Sequence, residues 1–462
     1  MLRLLRYNSY SFLSVKKIHE RLSFRIEMTF LTPQFHDVSK TRIVELKAAL
    51  RLGDSPRLAF VGAGGKTTAL FRIAREFTSP VIATATARME SWQIGLADNF
   101  FCCLESQPCS LPALPGVTLF AGEQGNHSVA GLGPIWLQKT LELAYKQNMP
   151  MLIEADGARR HPLKAPAEHE PPIPNFVDTV VVTAGLSSLG NDISADWVHR
   201  PEIFASLSEE LPGSPISAKS LCRVLCHPSG GLKNIPAGAR RIVLLNQANT
   251  QELYDHARSI VPTLLCSYHA VVISALREKR STENTIASFF ESQSKLYSAY
   301  ESVAGVIIST WRSSSSLSST LTWMGEPLIR QVAQAALEAG LSPLILVTDF
   351  YDDHIFSALE GIPIHIINVP SKQVAYPSLL RVGLEAIPFH INAAILLSAQ
   401  QPPTSPIQLL ALTDAYARTH AQFITMQDVE ESSTPALVDR EIFSDLLDLN
   451  KVGSYPQINF CA

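Results

Sequence analysis

The stretch Leu58–Phe77, LAFVGAGGKTTALFRIAREF, constrains this chain more than any other. Four apolar residues, Leu58–Val61, run straight into a turn containing Gly62, Ala63, Gly64 and Gly65. Lys66, Thr67 and Thr68 then open a segment with Leu70, Ile73, Ala74 and Phe77 at helical spacing. A short buried strand feeding a glycine turn and then a helix is the first half of a β-α-β unit. The expected fold is therefore α/β, a parallel sheet with helices on both faces.

The same stretch suggests chemistry. Glycines let the backbone approach an anion closely, and the helix N-terminus supplies exposed amides and a positive field. Lys66 is placed to meet terminal phosphates and the Thr67 hydroxyl to ligate Mg²⁺. Phe60 stands where the strict G-x-x-x-x-G-K-[ST] pattern has its first glycine, and an ordinary glycine turn with a surface lysine is the plainer alternative. A phosphate loop also needs an acid at a neighbouring strand end. MLIEADGARRHPLKAP (151–166) offers Glu154 after an apolar strand, with Glu154-x-x-Gly157 in D-x-x-G spacing and Asp156 as a second metal- or water-positioning candidate. Arg159, Arg160 and Lys164 follow; they read equally as a second anion clamp and as a solvated basic loop. Asn246-Gln247-Ala248-Asn249 has the layout of the N-K-x-D base-recognition motif, with Asn249 in place of the acid, or is a turn after a buried strand.

Strands are expected at 81–87, 151–155, 179–185 and 241–246, and helices at 41–52 and from Pro134 to Asn148. A second α/β series has strands at 303–309, 343–349, 362–368 and 393–399 and a helix at 327–339. Residues 1–40 read as a poorly structured extension, 41–275 and 303–462 as two α/β units, and the polar interval 276–302 as their connection.

The net charge of -4 gives no reason to expect nucleic acid or an anionic membrane as partner, and no apolar run is long enough to span a bilayer. Seven cysteines without a C-x-x-C pair suit a reducing compartment. Cys222-x-x-x-Cys226-His227 is at most half of a metal site. The first 19 residues carry Arg3, Arg6, Lys16 and Lys17 and no acid, as a transit peptide would, but lack a secretory cleavage pattern. The expectation is an over-extended N-terminus, with Met28 as an alternative start, and a cytoplasmic protein.

FVGAGGKTTALFRIARE, EADGARRHPLKAPAEHEPPIP, AGLSSLGNDISADWVHRPEIF and VLLNQAN together resemble the YqeC family, over roughly residues 44–275. These are accessory proteins of selenium-dependent molybdenum hydroxylases. The resemblance implies a P-loop nucleotide-binding fold and a role in maturing a selenium-containing molybdenum cofactor. By position it assigns Gly62, Gly64, Gly65, Lys66 and Thr67 to the phosphate loop. Glu154, Asp156, Gly157, Arg160, Lys164, His169 and Glu170 match the central motif, and His199-Arg200 a later one. ATATARM (83–89) replaces the family's threonine run.

Residues 303–460 resemble the MobA-like molybdenum cofactor cytidylyltransferases, a Rossmann-like nucleotidyltransferase fold, with the chemistry removed. That family opens with L-A-A-G-x-S-x-R-M-G. Here Trp311 takes the glycine position and Ser315 the arginine position; Arg312 is out of register. Gln400 replaces the Mg²⁺ aspartate before Pro402, and Lys451 the second aspartate. Neutral amide and ammonium groups do not bind Mg²⁺ as carboxylates do. Asn368, Pro402 and PALVDREIF (435–443) keep the outline of the fold. The combined expectation is an accessory factor that binds, and in one version hydrolyses, ATP or GTP with Mg²⁺. Its C-terminal half would hold a molybdopterin-type cofactor or a protein partner: the hydroxylase itself or a cofactor-maturation protein. The alternatives are a non-enzymatic scaffold of two nucleotide-binding folds and a working cytidylyltransferase.

Overall fold

A computed structural model describes residues 35–37, 45–104, 113–277, 295–310, 322–323, 325–350, 353–369, 376–401, 403–426 and 435–446. Trp311, Arg312, Ser315, Pro402 and Lys451 lie outside these residues, as does most of the 1–40 extension. Phe35–Asp37, within that extension, forms a three-residue strand.

The α/β expectation holds in both halves. The first sheet has nine strands. In chain order these are β1 (Arg57–Gly62), β2 (Val81–Ala85), β3 (Asn99–Cys102), β4 (Val117–Ala121), β5 (Met151–Glu154), β6 (Thr179–Gly185), β7 (Arg240–Asn246), β8 (Ala270–Ala275) and β9 (Lys295–Glu301). Their spatial order is β9-β8-β7-β6-β1-β5-β2-β4-β3. All neighbours are parallel except β9, which runs antiparallel to β8. The chain leaves β1 toward one edge through β2, returns to β5, then crosses to β6 on the other side. β1 therefore lies at the point where the winding reverses, and the crevice at its C-terminal end is the standard ligand position in such sheets.

Burial follows the period of two. Leu58 and Phe60 pack on one face of β1, with α1 (Lys66–Arg75). Ala59 and Val61 pack on the other, where α2 (Pro134–Lys146), α3 (Pro201–Ser208), α4 (Ala218–Cys226) and α5 (Gln251–Leu265) lie. Phe60 is fully buried and β1 continues through it to Gly62, which is why no glycine stands there. The turn that follows is only Ala63–Gly65.

The second sheet contains β10 (Val303–Ser309), β11 (Leu344–Thr348), β12 (Ile364–Asn368), β13 (Ala393–Ser398), β14 (Phe423–Met426) and β15 (Ala436–Asp439). It is ordered β14-β15-β13-β10-β11-β12, with Phe35–Asp37 beyond β14. β13, β10, β11 and β12 are mutually parallel, and β15 and β14 add antiparallel strands. Helices α6 (Leu328–Glu338) and α8 (Pro406–Thr419) cover one face and α7 (Tyr376–Glu385) the other.

The interval read as a connection is corrected at its end: residues 295–301 are β9, a strand of the first sheet. Its charged ends, Lys295 and Glu301, and the polar run before it masked the strand. One residue, Ser302, separates β9 from β10. α8 packs against β9, and ionic contacts join the two units. Arg51 binds Glu301 at 2.7 Å and Asp439 at 2.7 Å, while Arg240 reaches the other oxygen of Glu301 at 2.7 Å. Tyr416 donates to Asp439 at 2.6 Å. Glu301 and Asp439 are buried, and burying carboxylates is tolerable only with such partners.

Candidate functional site

The turn after β1 is shaped by contacts that only glycine permits. Gly64 has φ 82°, and a Cβ there would lie 2.3 Å from the Gly185 amide nitrogen and 2.7 Å from the Pro162 carbonyl oxygen. Gly65 has φ 132°, and a Cβ would lie 2.3 Å from Asn246 Nδ2. The loop is pinned from both sides. The Gly62 amide donates to Asp156 Oδ2 at 3.1 Å and the Ala63 amide to the Thr183 carbonyl at 2.9 Å. Residues Gly64–Thr68 line a groove of about 790 Å³. α1 begins there with Gly65 at its cap and no capping side chain, so its first amides lack an intrahelical partner.

Lys66 is buried under the turn. Its Nζ donates to the Gly62 carbonyl at 2.7 Å, with Asp156 at 3.2 Å and Glu154 at 3.8 Å. Thr67 donates to Glu154 Oε2 at 2.7 Å and accepts from Gln93 Nε2 at 3.2 Å. The two residues read from the sequence as a metal-holding pair, 87 positions apart, thus meet directly. Burial pushes the Glu154 carboxyl up, against the pull of Lys66 and the Thr67 hydroxyl. Among the described residues no group of three His, Cys, Asp or Glu side chains is placed to hold a metal ion. A Thr67–Glu154 pair suits a cation that takes its remaining ligands from phosphate and water.

Asp156 takes a different place from the one its sequence position suggests. It does not line the groove but sits behind the loop, between Lys66 at 3.2 Å and Lys164 at 2.9 Å. With one oxygen also accepting from Gly62, it holds the turn and its lysine in position rather than facing a bound metal. Lys164 continues the chain of charges to Glu170 at 2.9 Å, and Arg200 meets Glu170 at 2.7 Å. Burial alone would raise the Glu170 carboxyl, but Lys164 and Arg200 outweigh it and hold it at about 2. Gly157 lines the groove, and its carbonyl accepts from Lys164 at 2.6 Å.

Asn246 also differs from its sequence reading. It is buried, and both ends of its amide are engaged. Nδ2 donates to the Gly64 carbonyl at 2.8 Å, while Oδ1 accepts from the Leu276 amide at 3.0 Å and Ser274 at 3.2 Å. It ties the end of β8 to the glycine turn. Asn249, by contrast, is exposed on the groove wall.

Also on the groove wall, Arg160 pairs with Glu90 through two bonds, and Trp92 donates to the same carboxylate at 2.7 Å. Glu90, Trp92, Gln93 and His161 belong to this wall and were not read from the sequence. Glu90, Trp92 and Gln93 lie in a segment without linear motif spacing, and only the fold brings them to the loop; His161 lies within the Glu154–Pro166 motif but has no role there that spacing alone assigns. His169 is exposed and does not line the groove, nor do Cys222, Cys226 and His227.

In the second unit Gln400 follows β13 at the C-terminal end of the sheet. Its amide donates to the Thr310 carbonyl just beyond β10, and the Ala399 amide donates to Ile308 at 3.0 Å. An aspartate in that place has no hydrogen to donate. No helix among the described residues is long and apolar enough to cross a membrane.

Fold and site together define a two-sheet α/β protein whose first unit presents a lysine-backed glycine turn and a paired threonine and acid at one groove. The family model for the YqeC protein matches residues 58–202. The uncharacterized protein YqeC of Escherichia coli (strain K12) is 33% identical over 202 residues, covering 41% of this chain and 75% of that protein. The chain belongs to the YqeC family. Among solved structures, Rv0371c from Mycobacterium tuberculosis H37Rv is similar at 19% identity and a TM-score of 0.27, over 32% of this chain and 77% of that one. A nucleotidyl transferase from Methanothermobacter thermautotroptrophicus is similar at 18% identity and a TM-score of 0.26, over 32% of this chain and 76% of that one.

Proposed function

We propose that the first unit binds a nucleoside triphosphate, ATP or GTP, with Mg²⁺, as part of an accessory factor for maturing selenium-dependent molybdenum hydroxylases. The observation that carries the nucleotide reading is the meeting of Lys66, Thr67 and Glu154 at the start of α1, at the C-terminal end of β1. The amides of Gly64–Thr67 would donate to the phosphate oxygens, and Lys66 would neutralise them. Thr67 and Glu154 would hold the Mg²⁺, whose bound charge would offset the phosphates and polarise the γ-phosphoryl group. Asp156 and Asn246 fix the loop from behind. Asn249 is the residue left to face a base, and an amide gives it one acceptor and one donor rather than the paired acceptors of a carboxylate. Family membership supports the accessory role; the client hydroxylase or its cofactor-maturation proteins would be the partners.

For the second unit we propose a degenerate nucleotidyltransferase that holds a molybdopterin-type ligand or a protein without transferring a nucleotide. Gln400 supports this, since its amide closes onto the Thr310 carbonyl where that chemistry needs a metal carboxylate. A scaffold of two silent folds is the second reading, favoured by the same closure and by Lys66 being neutralised internally by Asp156. Thr67→Ala separates the two. The nucleotide reading predicts that this variant loses the Mg²⁺-dependent part of nucleotide affinity in calorimetry. A scaffold predicts no nucleotide affinity to lose.

A further inference from the structure

The groove extends beyond the loop that opens it, and much of its wall is cationic. Arg88, Arg159, Arg160 and Arg200 line it, with Glu90 and Glu170. Both acids are already engaged, Glu90 by Arg160 and Glu170 by Lys164 and Arg200. Arg159 has no carboxylate in ion-pair reach among the described residues, and Arg88 meets only the Ser128 hydroxyl, at 3.2 Å. Arg88 lies two residues before Glu90 and Arg159 directly before Arg160, so the Glu90–Arg160 pair brings their two chain segments to the same groove.

Backbone geometry points the same way. Arg159, Arg160 and Arg200 all have left-handed backbones, with φ of 48°, 65° and 70°. Such conformations are disfavoured for side chains with a Cβ and concentrate at functional sites. A two-stranded ribbon, Leu163–Lys164 beside Val198–His199, joins the two segments that carry them, with Lys164 and His199 in register. The His199 ring stacks on His161 at 5.7 Å, lines the groove and makes no hydrogen bond among the described residues. Burial first, then Arg200, Lys164 and Arg159, push its imidazole down to about 4, so it is neutral at pH 7 in a field set by cations.

We propose that Arg88, Arg159, Arg200 and His199 form a second subsite, for the phosphate group of a small phosphorylated co-substrate bound beside the nucleotide. Two guanidiniums without carboxylate partners match a dianion better than a monoanion, and each offers a planar fork of donors to phosphate oxygens. This rests on the nucleotide reading of the loop and adds the class of molecule that shares its groove.

The test uses the full chain with labelled histidines, saturated with a non-hydrolysable triphosphate analogue and Mg²⁺, so that the loop is filled. Inorganic phosphate is titrated while the His199 ring resonances are followed, assigned with His199→Gln. The subsite predicts a saturable shift, at least tenfold weaker binding in Arg159→Ala, unchanged analogue affinity in that variant, and a weaker response to acetate. No saturable His199 shift, or one that Arg159→Ala leaves intact, overturns it. If the analogue fails to bind while phosphate still titrates His199 through Arg159, the nucleotide reading falls and the anion subsite stands.

Discussion

The two halves present their strand ends in opposite ways. At the end of β1 the first unit leaves a three-residue turn and helix amides facing a groove, with Lys66 buried beneath the turn and the loop braced by Asp156 and Asn246. At the end of β13 the second unit turns the Gln400 amide inward onto its neighbour's carbonyl. Both sheets are parallel at their centres and wound by helices on both faces, so the scaffold does not decide which end binds a ligand. What decides is whether the polar groups there are satisfied by the protein itself or left for something else. Between the halves, Arg51 serves both, binding Glu301 at the end of β9 and Asp439 at the end of β15.

The sharpest way to break this comparison is to separate the halves. Arg51→Met leaves Glu301 and Asp439 buried with fewer counter-charges, and loss of one partner of a buried pair costs about 3–5 kcal/mol. Denaturant unfolding followed by separate fluorescence probes in each unit should show the transition moving to lower denaturant and splitting. A single unshifted transition would mean that the cluster does not couple them.

Smaller effects are expected at the strand ends themselves. Asn246→Ala removes the link from Gly64 to Leu276 and Ser274, leaving buried groups unpaired at about 1–3 kcal/mol. Because the loop depends on it, nucleotide affinity should fall together with stability. Gln400→Asp supplies the carboxylate that the proposed degenerate-transferase reading has lost, but sets it against the Thr310 carbonyl. It should lose stability on the same scale and gain no CTP turnover, measured as pyrophosphate release. Turnover in that variant would show that the second unit had lost only one residue of a working site.

Much of this was legible in the sequence. The 3.6- and 2-residue periods located both sheets, and the meeting of Lys66, Thr67 and Glu154 could be anticipated from a strand-turn-helix followed by an acid at a strand end. β9 was not legible, because its charged ends blended into a polar run. Asp156 and Asn246 were misplaced for a related reason. Spacing shows which residues end a strand, but not that Asp156 turns behind the loop or that the Asn246 amide, at the groove wall, is taken up by Gly64, Ser274 and Leu276. Glu90 and Gln93 carry no motif, and only the pairing of distant segments puts them against Arg160 and Thr67.

The mildest prediction concerns acid stability. The His199 imidazole is held at about 4 against an ordinary 6.5, so an unfolded chain takes up a proton that the folded one refuses. Stability should therefore fall as pH drops through that window. Glu170, held at about 2 against 4.5, adds a further loss below 4.5, where the unfolded carboxyl protonates first. His199→Gln should flatten the upper limb of the profile and leave the lower one.

The central claim is that one end of one sheet binds nucleotide and the other does not. Calorimetric titration of the full chain with ATP, GTP and CTP, each with Mg²⁺, beside Lys66→Ala, tests it most directly. The account predicts one site per chain, selective for ATP or GTP. Affinity should fall about 10–100-fold in Lys66→Ala, the scale of losing a charged contact to phosphate. Binding that Lys66→Ala leaves unchanged, or a second site of similar affinity, would contradict it.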